Sequence, residues 1–151
     1  MTIILNKSNN NDPQHQTRLS AGFDIASNED YILQPGEIKA ISTGLFFNQN
    51  YFLIKQEKST PSIPNKFRQL PFLMIVSRSS LALKGIVVNN APGIVDLDYP
   101  DEIKVILRNQ TNEPFEIKTG MRIAQGIFVD CFQMLSVKEE ERKGGFGSTN
   151  S

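Results

Sequence analysis

The sequence holds one cysteine, Cys131, one histidine, His15, and no tryptophan. A lone cysteine forms no internal disulfide, which fits a reducing compartment. Cysteine–histidine zinc sites lack their ligands and Ser-His-Asp chemistry lacks its base. His15 itself follows the polar stretch Asn9-Asn10-Asn11-Asp12-Pro13-Gln14 and reads as a solvated loop residue. Excess charge is missing too: Lys+Arg and Asp+Glu number 16 each, which argues against direct nucleic-acid binding. The apolar run Ile3-Ile4-Leu5 is too short for a signal or membrane segment, so the expectation is a cytoplasmic protein, in a host cell if the source is viral. An enzyme with this composition takes its base from a carboxylate and holds its metal through oxygen.

What is present suits one domain. The 151 residues are enough to bury a core, and the 39% hydrophobic content is ordinary. Short apolar or β-branched stretches recur at 3–5, 31–33, 38–41, 51–54, 72–76, 86–88, 103–107 and 123–129, with turn signals between them. Many short strands predict an all-β sandwich or barrel-like fold. Ile103, Val105 and Leu107 alternate onto one face. One short helix is expected over residues 79–84, opened by the Ser79 and Ser80 hydroxyls as caps and closed at Gly85. Residues 55–66 carry two prolines among polar side chains and read as an inserted loop. The run Lys138-Glu139-Glu140-Glu141-Arg142-Lys143 reads as a solvated linker.

Five clusters carry polar groups suited to a phosphorylated ligand. In Ala21-Gly22-Phe23-Asp24-Ile25 an aspartate stands between apolar residues, either capping a turn or orienting metal-bound water. Arg78-Ser79-Ser80, at the mouth of the helix, is an anion site or an N-cap beside a surface arginine. Residues 89–102 read as a strand, a turn around Pro100-Asp101 and a return strand from Ile103. On that reading Asp96 and Asp98 point to one face, as solvated acids or as the source of a general base. Gly120-Met121-Arg122-Ile123-Ala124-Gln125 starts a strand and offers one amide. The ending Arg142-Lys143-Gly144-Gly145-Phe146-Gly147-Ser148-Thr149 is a frayed tail or a phosphate-holding lid.

In this order the clusters resemble the trimeric deoxyuridine triphosphatase (dUTPase) family, from Ala21 to Thr149. Arg-Ser-Ser is common, whereas Gly93-Ile94-Val95-Asp96-Leu97-Asp98-Tyr99 and Gly144-Gly145-Phe146-Gly147-Ser148-Thr149 are specific. The resemblance implies a dUTPase-like jelly roll (β-clip) with one short helix and a flexible C-terminal tail. It divides the chain into a β domain, 1–137, and a mobile tail, 138–151, that completes a neighbouring active site. It implies a homotrimer with shared sites that hydrolyses dUTP to dUMP and pyrophosphate with Mg2+. Such an activity keeps uracil out of DNA and supplies dUMP for thymidylate synthesis.

The same resemblance distributes the roles. Asp96 activates water for attack on the α-phosphorus, and Asp24 holds magnesium through water. Arg78, Ser79, Ser80 and Gln125 bind the phosphate chain. Asn90 and the backbone of Gly93, Ile94 and Val95 read the uracil edge, and Tyr99 packs under the deoxyribose. Phe146 closes over the uracil, Gly147 shares that substrate-binding tail, and Arg142, Ser148 and Thr149 reach the γ-phosphate.

Four departures from the family pattern are visible. The tail has one residue fewer between Arg142 and the glycine pair, so Arg142 and Lys143 are alternatives for the γ-phosphate. Pro100-Asp101 stands where a residue followed by glycine is usual, which implies a changed turn. Ser77 replaces the usual proline before Arg78, with little effect expected. The 55–66 loop is an excess that offers a surface to a protein partner. A regulatory binding protein on the same scaffold is therefore one rival function. The related dCTP deaminases are another, but they need a glutamate three residues before the asparagine matched by Asn109. Ile106 stands there and shuttles no protons.

Overall fold

The computed structural model of the chain describes residues 4–7, 12–48 and 67–134. Among them run the strands β1 (Ile4–Asn6), β2 (Phe23–Ala26), β3 (Tyr31–Leu33), β4 (Ile38–Phe47) and β5 (Phe67–Ser77). The helix α1 (Ser79–Ala82) follows, then β6 (Ile86–Val88), β7 (Gly93–Val95), β8 (Ile103–Asn109), β9 (Phe115–Ile117) and β10 (Arg122–Met134). One sheet has the order β1-β4-β8-β6, a second β2-β10-β5-β7, and β3 pairs with β9 alone. The strand-rich expectation holds. The strands not expected are β2 and β9, which at four and three residues are too short for their alternation to register as a strand signal.

Burial follows the alternation read from the sequence. Along β8, Ile103, Val105, Leu107 and Asn109 are buried while Lys104 and Arg108 face solvent. Ile41, Ile86, Val88, Val105 and Leu107 from one sheet join Phe23, Ile25, Leu73, Ile75 and Ala124 from the other in a single core. Each large aliphatic buried there contributes about 1.5–3 kcal/mol against exposure. Asn109 is one of the polar residues buried with this core, and the capacity of its side-chain amide is used. Its Nδ2 donates to the carbonyls of Leu33 (3.0 Å) and Glu113 (2.8 Å), and its Oδ1 accepts from the Thr111 N–H (2.9 Å) and hydroxyl (2.7 Å).

β4 breaks register between Ile41 and Leu45, with Gly44 at φ 70°. Glu102 occupies the break. Its Oε1 accepts from the Ser42 hydroxyl (2.5 Å), the Gly44 N–H (2.7 Å) and the Thr43 N–H (3.0 Å). Burial pushes the Glu102 carboxyl up, but the bonds from Ser42, Gly44 and Thr43 outweigh it and hold the pKa below the ordinary glutamate value.

Where the expectations for 89–102 meet the structure, three change. β7 pairs with β5 and β8 pairs with β4 and β6, so the two are not a hairpin but belong to different sheets. The turn closes earlier than Pro100-Asp101: the Tyr99 N–H donates to the Asp96 carbonyl (3.1 Å) across Leu97-Asp98. Consequently Asp96 and Asp98 do not share a strand face. β7 ends after three residues, and a proline at 100, with no N–H, cannot serve a ladder onward.

His15 is exposed, as expected, but not idle. Its Nδ1 donates to the Gly22 carbonyl (3.0 Å) and its ring meets Phe23 edge-on. Among the described residues no helix is long and apolar enough to cross a membrane. The expected strand at 51–54, the 55–66 loop and the domain boundary at 137 lie outside the described residues.

Candidate functional site

Three strand ends bring the acid and the anion-binding groups together. Asp24 faces Gln125 in register across β2 and β10, and Gln125 faces Val76 across β10 and β5. Directly opposed residues share a sheet face, so Gln125 stands beside Asp24 on one side of the sheet. Arg78 follows β5 by one residue. Its Nε lies 3.0 Å from Asp24 Oδ1, and its Nη1 donates to the Arg122 carbonyl at 3.0 Å. Arg122, the first residue of β10, places its own Nη1 3.2 Å from Asp24 Oδ2.

Two guanidiniums thus meet one carboxylate whose side chain is only 6% exposed. Two positive groups against one negative leave an excess of one positive charge, the sign a phosphate chain needs. The Arg78 Nε and Asp24 Oδ1 sit at ion-pair distance but off the hydrogen-bond line, so neither has a directed partner. A buried carboxylate oxygen with unused acceptor capacity fits a water molecule on a hard cation. No group of three or more His, Cys, Asp or Glu side chains is assembled for a metal among the described residues. An ion at this place would touch Asp24 through water and take its other oxygens from its own ligand.

The helix start differs from expectation. Arg78, in extended backbone (φ −80°, ψ 132°), is the N-cap, and no side chain caps the turn. Ser79 and Ser80 fall inside the helix, where a hydroxyl is past the capping position. The Arg78 carbonyl instead takes the N–H groups of Leu81 (3.1 Å) and Ala82 (2.9 Å). Both serines are exposed, their hydroxyls left out of capping. Gly85, at φ 74°, closes the segment as expected, and a Cβ there would come within 2.6 Å of Thr111.

The second group of candidate residues hangs on the edge strand β7. A Cβ at Gly93 would lie 3.0 Å from Asn90 Nδ2, so this glycine permits the Asn90 amide to lie against the backbone. The preceding Ala91–Pro92 bond is cis. Asn90 and Ile94 are exposed and Val95 is half-buried, whereas Tyr99 belongs to the core. Asp96 follows Val95, which faces Leu73, while Asp24 is level with Val76 and three strand spacings away. Strand rise and spacing put the Cα atoms of Asp24 and Asp96 on the order of 20 Å apart. One chain assembles Asp24, Arg78, Ser79, Ser80 and Gln125 but keeps Asp96 at a distance.

Sequence reading assigned no role to Arg122 and little to Ser77. Arg122 becomes legible only once the register of β2 and β10 is known. Ser77 accepts the Val88 N–H at 2.8 Å, a bond proline cannot make in its place. Arg142, Phe146, Gly147, Ser148 and Thr149 lie outside the described residues.

Comparison with known proteins agrees with this geometry. The family model described as dUTPase matches residues 72–150. The deoxyuridine 5'-triphosphate nucleotidohydrolase of Nautilia profundicola is 42% identical over 144 residues, covering 91% of this chain and 89% of the relative. That of Rickettsia felis is 42% identical over 146 residues, covering 91% and 86%. Among solved structures, the dUTPase of Streptococcus mutans superposes with a TM-score of 0.62 at 23% identity, over 83% of this chain and 93% of its own. The dUTPase of Staphylococcus bacteriophage 80alpha reaches 0.65 at 20% identity, over 94% and 97%. With its sandwich of short strands, its Asp24–Arg78–Gln125 cluster and relatives of this similarity over nearly its full length, the chain belongs to the dUTPase family.

Proposed function

We propose that this chain hydrolyses dUTP to dUMP and pyrophosphate in sites shared between copies of a homotrimer, with Asp96 as the base. The carrying observation is the separation of Asp96 from the Asp24–Arg78–Gln125 cluster. A separation on the order of 20 Å exceeds what hydrogen-bond reach to a common water allows, so the two sets meet only if different copies supply them.

The chemistry then falls to few groups. Phosphoryl transfer depends on positioning and charge neutralisation. Arg78, with Ser79, Ser80 and Gln125, binds the phosphate chain in a field already one charge positive. Asp96 accepts the proton of a water that attacks the α-phosphorus, and the bond from that phosphorus to the bridging oxygen breaks to release pyrophosphate. Asn90 and the backbone of Gly93, Ile94 and Val95 read the uracil edge. Tyr99 offers an apolar ring to the sugar, where a 2′-hydroxyl would be left without a partner. The tail from residue 138 supplies Phe146 over the base, and Gly147, Ser148, Thr149 and Arg142 or Lys143 toward the terminal phosphate.

Asp24 is the residue that would hold magnesium, through water. When bound, the ion neutralises charge on the triphosphate. A variant dUTPase from phage phi11 of S. aureus, with a TM-score of 0.63 to this chain, is described with a structural Mg(II) ion. The single cysteine fits a reducing, cytoplasmic setting. The 55–66 loop supports a second, compatible reading as a protein-binding surface. The 80alpha phage dUTPase is described as controlling transfer of virulence genes, and the phi11 enzyme as carrying a species-specific insert.

Subunit mixing tests the proposal. Asp96→Asn chains and chains truncated after Glu141 should each be nearly inactive on dUTP, and their mixture should recover partial activity. A light-scattering mass of one chain, or no recovery in verified mixed trimers, would contradict shared sites. Turnover of dTTP, dCTP or UTP comparable to that of dUTP would contradict the base and sugar assignments.

A further inference from the structure

The last residue of β5 reaches across to the other sheet. The Ser77 hydroxyl accepts the Val88 N–H at 2.8 Å, and Val88 is 4% exposed. β6 is the edge of its sheet, paired only with β8, where Val88 faces Leu107. On its other side its last N–H has this one side-chain partner, which serves as a ladder bond that no strand supplies. The Val88 carbonyl then accepts from the Ala91 N–H (3.2 Å), closing the turn that carries Asn89 and Asn90 into Gly93. Ser77 is also the residue immediately before Arg78. One hydroxyl therefore pins the start of the segment 89–99 to the strand end that presents Arg78, Ser79 and Ser80.

The two ends of this link are not equally anchored. Ser77 is fixed in the long β5–β10 ladder, facing Ala124, so the phosphate-binding end keeps its place without the hydroxyl. β6 is three residues long, paired on one side alone, and loses its hydrogen bond to β5. We infer that Ser77 is a positioning residue for uracil recognition: through Val88 it sets where Asn90 and the Gly93–Val95 backbone stand. This rests on the assignment of the base-reading role to Asn90 and the backbone of β7.

The test compares Ser77→Ala, Ser77→Thr and Asn90→Ala by steady-state kinetics, with inorganic tripolyphosphate as a probe that has no base. Ser77→Ala should raise KM for dUTP roughly five- to tenfold, the equivalent of one net hydrogen bond. Its preference for dUTP over dCTP should fall, with kcat little changed and tripolyphosphate binding as in the wild type. Ser77→Thr keeps an acceptor and should restore both KM and selectivity. If Asn90→Ala loses selectivity while Ser77→Ala keeps it, this inference is overturned and the base-site reading stands. If both variants keep wild-type selectivity, the base-site reading falls and takes the inference with it. An equal loss of dUTP and tripolyphosphate binding in Ser77→Ala, unrelieved by threonine, would mean a role in general folding and would also overturn it.

Discussion

Arg122 takes the oxygen of Asp24 that Arg78 leaves aside, Nη1 to Oδ2 at 3.2 Å against Nε to Oδ1 at 3.0 Å. The side chain of Arg122 is half exposed, so as an ion pair it adds about 1 kcal/mol or less to stability. Its larger effect is on orientation. Arg122→Ala should leave Arg78 as the sole counter-charge of Asp24 and less available to a phosphate. KM for dUTP should rise roughly fivefold, the equivalent of about 1 kcal/mol, with the melting temperature nearly unchanged. A large drop in melting temperature with unaltered KM would reverse this assignment.

Asp96→Asn removes the proposed base while keeping size and polarity. Turnover should fall about 100- to 10,000-fold with nucleotide binding largely retained. Binding by calorimetry alongside kcat checks both halves, and a near-normal kcat would transfer the role to another acid.

Glu102 should make stability depend on acidity. Its carboxylate, held below the ordinary glutamate pKa by the Ser42, Gly44 and Thr43 donors despite burial, contributes fully above the unfolded-state pKa. That contribution is lost as the pH falls through the lowered folded-state value. Urea titrations of wild type and Glu102→Ala should differ by about 1.5–3 kcal/mol near neutrality, the range for hydrogen bonds to a charged group. The gap should close toward strongly acid pH; a gap independent of pH would refute the linkage.

Gly126 allows Phe23 to lie across β10. A Cβ at 126 would come 2.5 Å from Phe23 Cζ, 2.7 Å from Cε2 and 3.1 Å from Leu73 Cδ1. Gly126→Ala should cost about 1–3 kcal/mol by overpacking. Because Asp24 follows Phe23, activity should fall as well. Adding Phe23→Leu should recover part of the loss, a coupling that a double-mutant cycle measures. Strictly additive losses would show that the two positions do not compete for space.

How much of this was legible beforehand varies with the range of the interactions. The alternation of Ile103, Val105 and Leu107 is local and was read correctly, as were the bounds of β3 and β6. Asp24, Arg78, Ser79, Ser80 and Gln125 stand out in the sequence as members of its clusters, and the ladders bring Asp24 and Gln125 beside the end of β5 that leads into Arg78. The partnering of β7 was not legible, because a three-residue strand carries no signal for whether it pairs with β5 or β8. The capping error has a similar origin: a one-residue shift of the helix start moves a serine from cap to first turn. Arg122 and Ser77 act across sequence distance, through strand register in one case and between sheets in the other, and no spacing rule reports either.

The ladder of β5 and β10 extends to Phe67 opposite Met134. The backbone at residue 67 and that at residue 134 therefore stand a single strand spacing apart. Unpairing residue 67 would release residue 134 with it, so fraying from that end runs back along β5 and β10 together toward Val76 and Gln125.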